Sequence, residues 1–332
     1  IVQVASGPRG SNMLAIVTGA AGFIGSHLVE RLLANGATVI GVDAFTNDYS
    51  RVQKRQNLES VIHHPRFSLV ETTILYADWA SLLPTATHLF HLAGQTGVRS
   101  SWGRDFTAHV ENNIVSTQHL LEACAKYNPR IRMVFASTSS AYGDTTIIPA
   151  AEYVIPQPIS PYGVSKVAAE NLCHAYHVAY KLPISIMRYF TVYGPRQRPD
   201  MAFSLFFRAA LQGRPVIQYG DGQQTRDFTY VDDAVSGTLL AAEHGQIDHV
   251  YNIGGGHNVT VKHVFGIIEK LLGAPLQYDI RETQHGDALH TWADTRRAAI
   301  DCHYAPLTRL ELGLEKQYNW IRQSMRRNGE LR

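Results

Sequence analysis

The sequence predicts an α/β protein: a doubly wound parallel sheet with a smaller α/β domain on its C-terminal side. Three observations predict it. Short apolar runs alternate with segments of helical period from residue 14 to residue 188. A glycine-rich turn joins the first run to the first helix. A carboxylate ends the second run. Strands alternating with helices give a parallel sheet covered on both faces. At 332 residues the chain is one large domain or two intimate ones, and it can bury a core without a disulfide or metal staple.

Leu14 to Thr18 is the first apolar run. Gly19-Ala20-Ala21-Gly22-Phe23-Ile24-Gly25 comes directly after it. Ile24, Leu28, Leu32 and Leu33 recur at helical spacing, and Gly36 stops the helix. Thr38 to Asp43 is the second strand and completes a βαβ unit. Phe67–Val70 and His88–Leu92 read as strands, the second running into Ala93-Gly94. Residues 114–125 read as a helix, 131–136 as a strand, 162–180 as a long helix and 184–188 as a strand. After about residue 188, Pro195, Pro199, Pro215 and several glycines break the chain into shorter pieces. Val231–Ala242 is nevertheless helical and Val250–Ile253 strand-like, so the chain is expected to return to the first domain before leaving again. The expected division is residues 13–187 with about 228–256, and about 188–227 with 257–332. Residues 1–12, where Pro8-Arg9-Gly10-Ser11 resembles a protease-site remnant, are expected to be a leader outside the fold.

Composition narrows the function. Hydrophobic residues make up 45% and charged residues 17%, which excludes a disordered chain. Lys and Arg number 30 against 28 Asp and Glu, a net +2, too balanced for a dense phosphate-facing surface that holds nucleic acid. Cys124, Cys173 and Cys302 are too scattered for a disulfide framework or a zinc site, and are expected to be reduced thiols in a cytoplasmic protein with no metal. No apolar run approaches the ~18 residues that span a bilayer, so no membrane partner is expected.

The glycine turn carries the first chemistry. Gly19 permits a tight turn, Gly22 lets backbone approach a pyrophosphate at the helix N-terminus, and Gly25 lets helix and strand pack closely. The spacing is G-x-x-G-x-x-G rather than the commoner G-x-G-x-x-G. Alone it also fits a plain βα turn. Asp43 turns the balance, because a carboxylate there can accept from both ribose hydroxyls of NAD and would repel a 2′-phosphate. No Arg stands directly after it, so NAD is expected over NADP.

Tyr162-Gly-Val-Ser-Lys166 is the only Tyr-x-x-x-Lys among 16 tyrosines. Residues four apart share a helix face, so the ammonium is expected near the phenol, favouring phenolate and making Tyr162 a general base. Ser137-Thr138-Ser139-Ser140 comes after the strand ending at Ala136. Hydroxyls at a strand's C-terminal end face the crevice where a cofactor lies.

Together these segments resemble the extended short-chain dehydrogenase/reductase family across residues 13–332. The resemblance rests on T-G-A-A-G-F-I-G at 18–25, H-L-A-G at 91–94, S-P-Y-G-V-S-K at 160–166 and R-Y-F-T-V-Y-G-P-R-Q at 188–197. Y-G-D-G-x-Q-x-R-D-F-x-Y-V-D-D at 219–233 and Y-N-I-G at 251–254 complete the set. It is most similar to the nucleotide-sugar epimerase/dehydratase branch. The resemblance implies a Rossmann-type NAD domain, a smaller nucleotide-sugar domain and a homodimer. It implies Tyr162 as the base, Lys166 as its partner on the nicotinamide ribose, and Thr138 on the reacting hydroxyl. The implied cofactor contacts are Gly19, Gly22, Phe23, Ile24 and Gly25 at the turn, then Asp43, Phe45 and Asn47. Thr73 and Ile74, Leu92 to Gln95 (with Ala93 and Gly94), Asn113, Ser137 and Tyr189 complete them.

The branch works through a 4-keto sugar, and the neighbours of the catalytic Thr decide the fate of that intermediate. Similar dehydratases carry Asp-Glu there, and glucuronate decarboxylases a Glu at the second position. Here the two positions are Ser139 and Ser140, which disfavours dehydration and, less strongly, decarboxylation. The S-T-S-S cluster, the 188–203 segment and T-W-A-D at 291–294 look most like UDP-glucuronic acid 4-epimerases. A UDP-glucose 4-epimerase and a glucuronate decarboxylase stay open as alternatives. The implied substrate contacts are Gly97, Val98 and Arg99, with Thr138, Ser139, Ser140 and Thr191 on the sugar. To these the resemblance adds Ala202, Phe203 and Phe206, Ile217, Gln218 and Tyr219 about the uracil, and Arg226 and Asp287 near the diphosphate. Many members have Arg where this chain has Gln284, which throws more of the diphosphate charge onto Arg226 and Arg99.

Overall fold

The structure, a computed structural model, describes residues 13–331; the expected leader at 1–12 lies outside the described residues. Along the chain come β1 (Leu14–Thr18), α1 (Phe23–Ala34), β2 (Thr38–Asp43), α2 (Arg51–Asn57), β3 (Phe67–Glu71), α3 (Trp79–Leu82) and β4 (His88–His91). Next are α4 (Phe106–His109), α5 (Ser116–Tyr127), β5 (Arg132–Thr138), α6 (Pro161–Tyr180) and β6 (Ile184–Tyr189). The later part holds β7 (Val192–Tyr193), α7 (Ala202–Leu211), β8 (Val216–Tyr219), β9 (Thr225–Asp227), β10 (Thr229–Tyr230), α8 (Val231–His244) and β11 (His249–Ile253). β12 (Asn258–Thr260), α9 (Val261–Leu272), β13 (Tyr278–Arg281), α10 (Arg296–Cys302) and α11 (Leu310–Arg327) complete it.

Seven strands form one parallel sheet in the order β11-β6-β5-β4-β1-β2-β3. β1 and β5 are central and apolar because both their faces are covered. Leu28, Val29 and Leu32 of α1 and Ala234 and Val235 of α8 belong to one core; Leu120, Leu121, Ala169 and Cys173 of α5 and α6 belong to the other. The strand order reverses at β1, which lies between β2 and β4. In such sheets the ligand crevice opens at the reversal, beyond the carboxyl ends of the strands. The strand-like stretch near residue 250 does rejoin this sheet, as β11 on the β6 edge with Ser185 opposite His249.

Outside the sheet, β8 pairs with β13 and β9 with β12 in small ribbons. α9 is capped at its start by Thr260, whose hydroxyl accepts from the His263 amide, and at its end by Gly273 in the left-handed region. In α11, Leu310, Leu314, Gln317, Ile321 and Met325 recur on one buried face. The helix expected at 114–125 extends further, since α4 runs into α5 through a π-helical turn at Val110–Val115. That wide turn brings in Asn113, whose side chain donates to the Gln95 carbonyl and Ser165 hydroxyl and accepts from the Gln95 amide. The three cysteines are buried free thiols. Among the described residues no helix is long and apolar enough to cross a membrane, and no group of three or more His, Cys, Asp or Glu could hold a metal.

Candidate active site

A trough runs across the carboxyl ends of the strands, and the glycine turn shapes its middle. Gly19 has φ +72, and a Cβ there would meet the Ala93 amide nitrogen at 2.9 Å. Its own amide donates to the Val42 carbonyl at 2.8 Å. A Cβ on Gly22 would lie 3.0 Å from the Gly19 carbonyl oxygen, and one on Gly25 would drive into that same oxygen. Gly22 caps α1 with extended backbone and no side chain, which leaves the first-turn amides of Phe23 and Ile24 facing outward for an anion. At one end of the trough the Asp43 carboxylate is buried and accepts from the Ala21 and Phe45 amides at 2.9 and 2.8 Å. Burial raises its pKa against those bonds and the nearby Lys54 charge. Phe45 lies beneath the Arg55 guanidinium, Asn47 and Thr73 are exposed, and Ile74 is buried.

β4 ends where the trough continues. The Ala93 amide donates to the Thr18 hydroxyl, and Leu92 and Ala93 lie against Gly19. A Cβ on Gly94 would meet Asn113 Oδ1 at 2.7 Å and Lys166 Nζ at 3.9 Å. Lys166 is buried, lies 4.3 Å from the centre of the Phe135 ring, and makes no hydrogen bond to any described residue. Burial lowers its ammonium to about 8. These features fit a dinucleotide: a turn too tight for side chains, a free row of amides, a carboxylate for a diol and an uncommitted cation.

Tyr162 opens α6, where Ser160 accepts from the Gly163 amide as cap and Pro161 stands at the first helical position. Its ring meets the edge of His109 with centroids 6.0 Å apart. Burial raises the phenol's pKa, opposed by a hydrogen bond with Thr138 and by the charge of Arg198. The phenol's pKa is thus raised in this structure, and the Lys166 ammonium lies toward the Phe135 ring and Gly94. Thr138, the last residue of β5, donates toward the Ser140 hydroxyl at 3.3 Å and accepts from the Ser140 amide at 3.1 Å. Ser139, Ser140 and Thr191 are half-buried around it.

The second half of the site is a cleft of about 250 Å³ between the small ribbons, lined by Tyr219, Arg226, Gln284, Asp287 and His290 among others. Arg99 reaches it from the loop after β4, stacks 4.1 Å from the Tyr219 ring centre and pairs with Asp287 at 2.7 Å. Arg226 donates to the Thr225 and Leu289 carbonyls, and burial lowers its pKa. Gly97 and Val98 start the loop that brings Arg99 in; Val98 also touches the 286 turn. Ile217 and Gln218 precede Tyr219 on β8 and are half-buried. The cleft is joined to the trough. His290 lines both it and a small cavity beside Ser139, and the Leu289 amide donates to Asp144.

Three expected contacts have their side chains engaged elsewhere. The Tyr189 hydroxyl is 2.6 Å from that of Thr238 on α8, and its ring is buried, so it offers no polar group to the trough. The Phe203 ring is 2% exposed and packs on Tyr193 and Phe228; of the three residues expected there, Ala202 is exposed and Phe206 half-buried. The Ser137 hydroxyl donates to Glu170 at 2.5 Å. Arg198 was not among the expected residues. It comes two residues after Arg196 in a proline-flanked loop, pairs with Asp200 at 2.6 Å, and its charge reaches Tyr49, Lys54 and Tyr162. Its only sequence signal is a second arginine two residues after that of the G-P-R-Q segment.

Residues 15–254 match the model of the NAD dependent epimerase/dehydratase family. A Bacillus subtilis (strain 168) protein described as an uncharacterized UDP-glucose epimerase is 43% identical over 311 residues, covering 93% of this chain and 98% of its own. A UDP-glucuronate 4-epimerase of Thermodesulfobacterium geofontis is 33% identical over 93% of this chain and 96% of its own. The crystal structure of UDP-glucuronic acid 4-epimerase from Bacillus cereus, in complex with UDP-glucuronic acid and NAD, superposes with a TM-score of 0.91. It is 42% identical, covering 94% of this chain and 100% of that one.

Proposed function

The chain belongs to the NAD dependent epimerase/dehydratase family, and from that premise we propose that it is an NAD-dependent isomerase that epimerises UDP-glucuronic acid at C4 to UDP-galacturonic acid, through a transient 4-keto sugar. The observation that carries this reading is the end of β5. Thr138 offers a hydroxyl to the Tyr162 phenol, Ser139 and Ser140 come directly after it, and none of the three is an acid that could act at C5 or C6. The Bacillus cereus relative, crystallised with UDP-glucuronic acid and NAD, supports the same substrate.

The glycine turn would hold the NAD diphosphate on the α1 amides, Asp43 with Phe45 and Asn47 the adenosine ribose, and Thr73 and Ile74 the adenine. Leu92 to Gln95, Asn113 and Lys166 would line the nicotinamide half. NAD bound there supplies a hydride acceptor for C4 that later gives the hydride back. Tyr162, as its phenolate, would take the proton of the C4 hydroxyl, and Thr138 would hold that hydroxyl by a hydrogen bond. Arg99 and Arg226 face the substrate diphosphate, with Asp287 orienting Arg99, and residues 217–219 receive the uracil. The keto sugar then turns and presents its other face. Residues 13–187 with about 228–256 serve the dinucleotide in this reading, and the remaining segments serve the UDP-sugar.

A glucuronate substrate poses a physical problem. Its 4-keto form is a β-keto acid, which loses CO2 once the bond to the carboxylate aligns with the carbonyl π system. Ser139, Ser140 and Thr191 would bind the carboxylate out of that alignment, and the Arg198 charge beside Tyr162 favours keeping it ionised. We place the enzyme in the cytoplasm as a homodimer joined through α5 and α6. Incubation with UDP-glucuronic acid and with UDP-glucose, each monitored by NMR, tests the reading. Galacturonate from the first supports it; galactose from the second alone would make the chain a UDP-glucose epimerase, and pentose as main product a decarboxylase.

A further inference from the structure

Tyr162, Lys166 and Glu170 lie one turn apart along one face of α6. The first two belong to the proposed chemistry. Glu170 is 6% exposed and accepts three hydrogen bonds: from the Ser137 hydroxyl at 2.5 Å and from Arg188 Nε and Nη2 at 3.0 and 2.6 Å. Ser137 and Arg188 are partners in the β5–β6 register, so one carboxylate ties the catalytic helix to both strands at their ends. Ser137 directly precedes Thr138. The Arg188 guanidinium, 3% exposed, lies 4.6 Å from the Tyr142 ring centre, and the Tyr142 hydroxyl donates to Asn252 of β11 at 2.7 Å. A buried ion pair of this kind is weak evidence for stability, since packed apolar residues often do as well. Its placement is what stands out.

We infer that Glu170, through Ser137 and with Arg188 as its counter-ion, is a positioning residue that fixes the Thr138 hydroxyl against the Tyr162 phenol. The inference rests on the reading of Thr138 and Tyr162 as the pair flanking the reacting hydroxyl. Those two groups sit on different elements, a strand end and a helix start, and Glu170 adds a buried polar tie between these elements through Ser137. A displacement of about 1 Å at such a pair costs roughly a hundredfold in rate. The Arg188 partnership has a second effect. It satisfies the Glu170 carboxylate on the strands, so Lys166, although it feels that charge, keeps its ammonium free of a hydrogen bond to any described residue.

The test is a pair of substitutions at Ser137, which leave the Glu170–Arg188 ion pair whole. Ser137→Ala should lower kcat by about tenfold or more, with KM for UDP-glucuronic acid, bound NAD and melting temperature close to wild type. Ser137→Thr, which keeps a hydroxyl, should recover most of that loss. An unchanged kcat in Ser137→Ala, or equal losses in Ala and Thr, would overturn the inference and leave Glu170 a structural ion pair. Crystal structures of wild type and Ser137→Ala decide the matter without any substrate. The Thr138–Tyr162 hydroxyl separation should change by about 0.5 Å or more, and an unchanged separation counts against the inference. A wild-type chain inert on UDP-glucuronic acid would sink the proposed activity alone, because this separation would still be measured.

Discussion

Tyr162→Phe removes one oxygen and keeps the ring against His109, so fold, NAD content and UDP-sugar affinity should stay while turnover falls by ~10²–10⁴-fold. Stopped assays on the purified variant check this, and a variant with most of the wild-type rate would put the base elsewhere. The hydroxyls beside it should control the product rather than only the rate. Each hydrogen bond lost to a charged group is worth ~1.5–3 kcal/mol, about a tenfold or greater change in how often the carboxylate swings into line with the carbonyl. Alanine at Ser139, Ser140 or Thr191 should therefore give pentose, accumulating reduced cofactor and slow inactivation with UDP-glucuronic acid, and none of these with UDP-glucose. Slower epimerisation without pentose would make these hydroxyls loop structure.

Gly25 shows what one element demands of another. Its missing Cβ is what allows α1 to sit on the Gly19 carbonyl, and that contact is backbone, which cannot swing away. Gly25→Ala should cost about 1–3 kcal/mol and strip bound NAD, seen as a lower melting temperature and a lost absorbance of the cofactor after purification. Wild-type values for both would mean the helix tolerates a wider turn. The elements of the sheet were legible in the sequence because parallel strands buried on both faces are largely apolar, as Leu14–Val17 is throughout and Ile184–Tyr189 is apart from Ser185 and Arg188. The glycine turn was legible because Gly19, Gly22 and Gly25 stand where a Cβ would strike backbone, and Asp43 because it ends the second strand beside that turn. The expected elements stop short of α9 and α11, although Val264, Phe265 and Ile268 recur at helical spacing in α9; in α11 the pattern is weaker because Gln317 is on its buried face. Arg198 was hidden for another reason. A guanidinium reaches its target across the fold, and no local spacing marks where its charge will land. Tyr189 and Phe203 matched a motif, yet their neighbours Thr238, Tyr193 and Phe228 come from elsewhere in the chain.

At the scale of the whole molecule, the π-helical turn leading into α5 leaves Val115 at the surface and α6 leaves Val164, Val178 and Tyr180 there, between 44% and 54% exposed. A second copy covering both helices would bury them, so light scattering should give a dimer at micromolar concentration. Val178→Glu should shift it to a monomer with unchanged circular dichroism; a wild-type monomer would end the idea. The seventh strand of the sheet, β11, lies beside β6 although the intervening chain builds one wall of the cleft lined by Tyr219 and Arg226. For a nascent chain leaving the ribosome, that order of events matters. At about 5–20 residues per second, the roughly sixty residues between Tyr189 and His249 keep the β6 edge open for several seconds. An open, buried-type strand edge is a template for pairing with another chain. A polypeptide stopped at residue 245 should therefore sediment after synthesis while the full chain stays in the supernatant, and translation slowed within residues 190–248 should lower the yield of native enzyme.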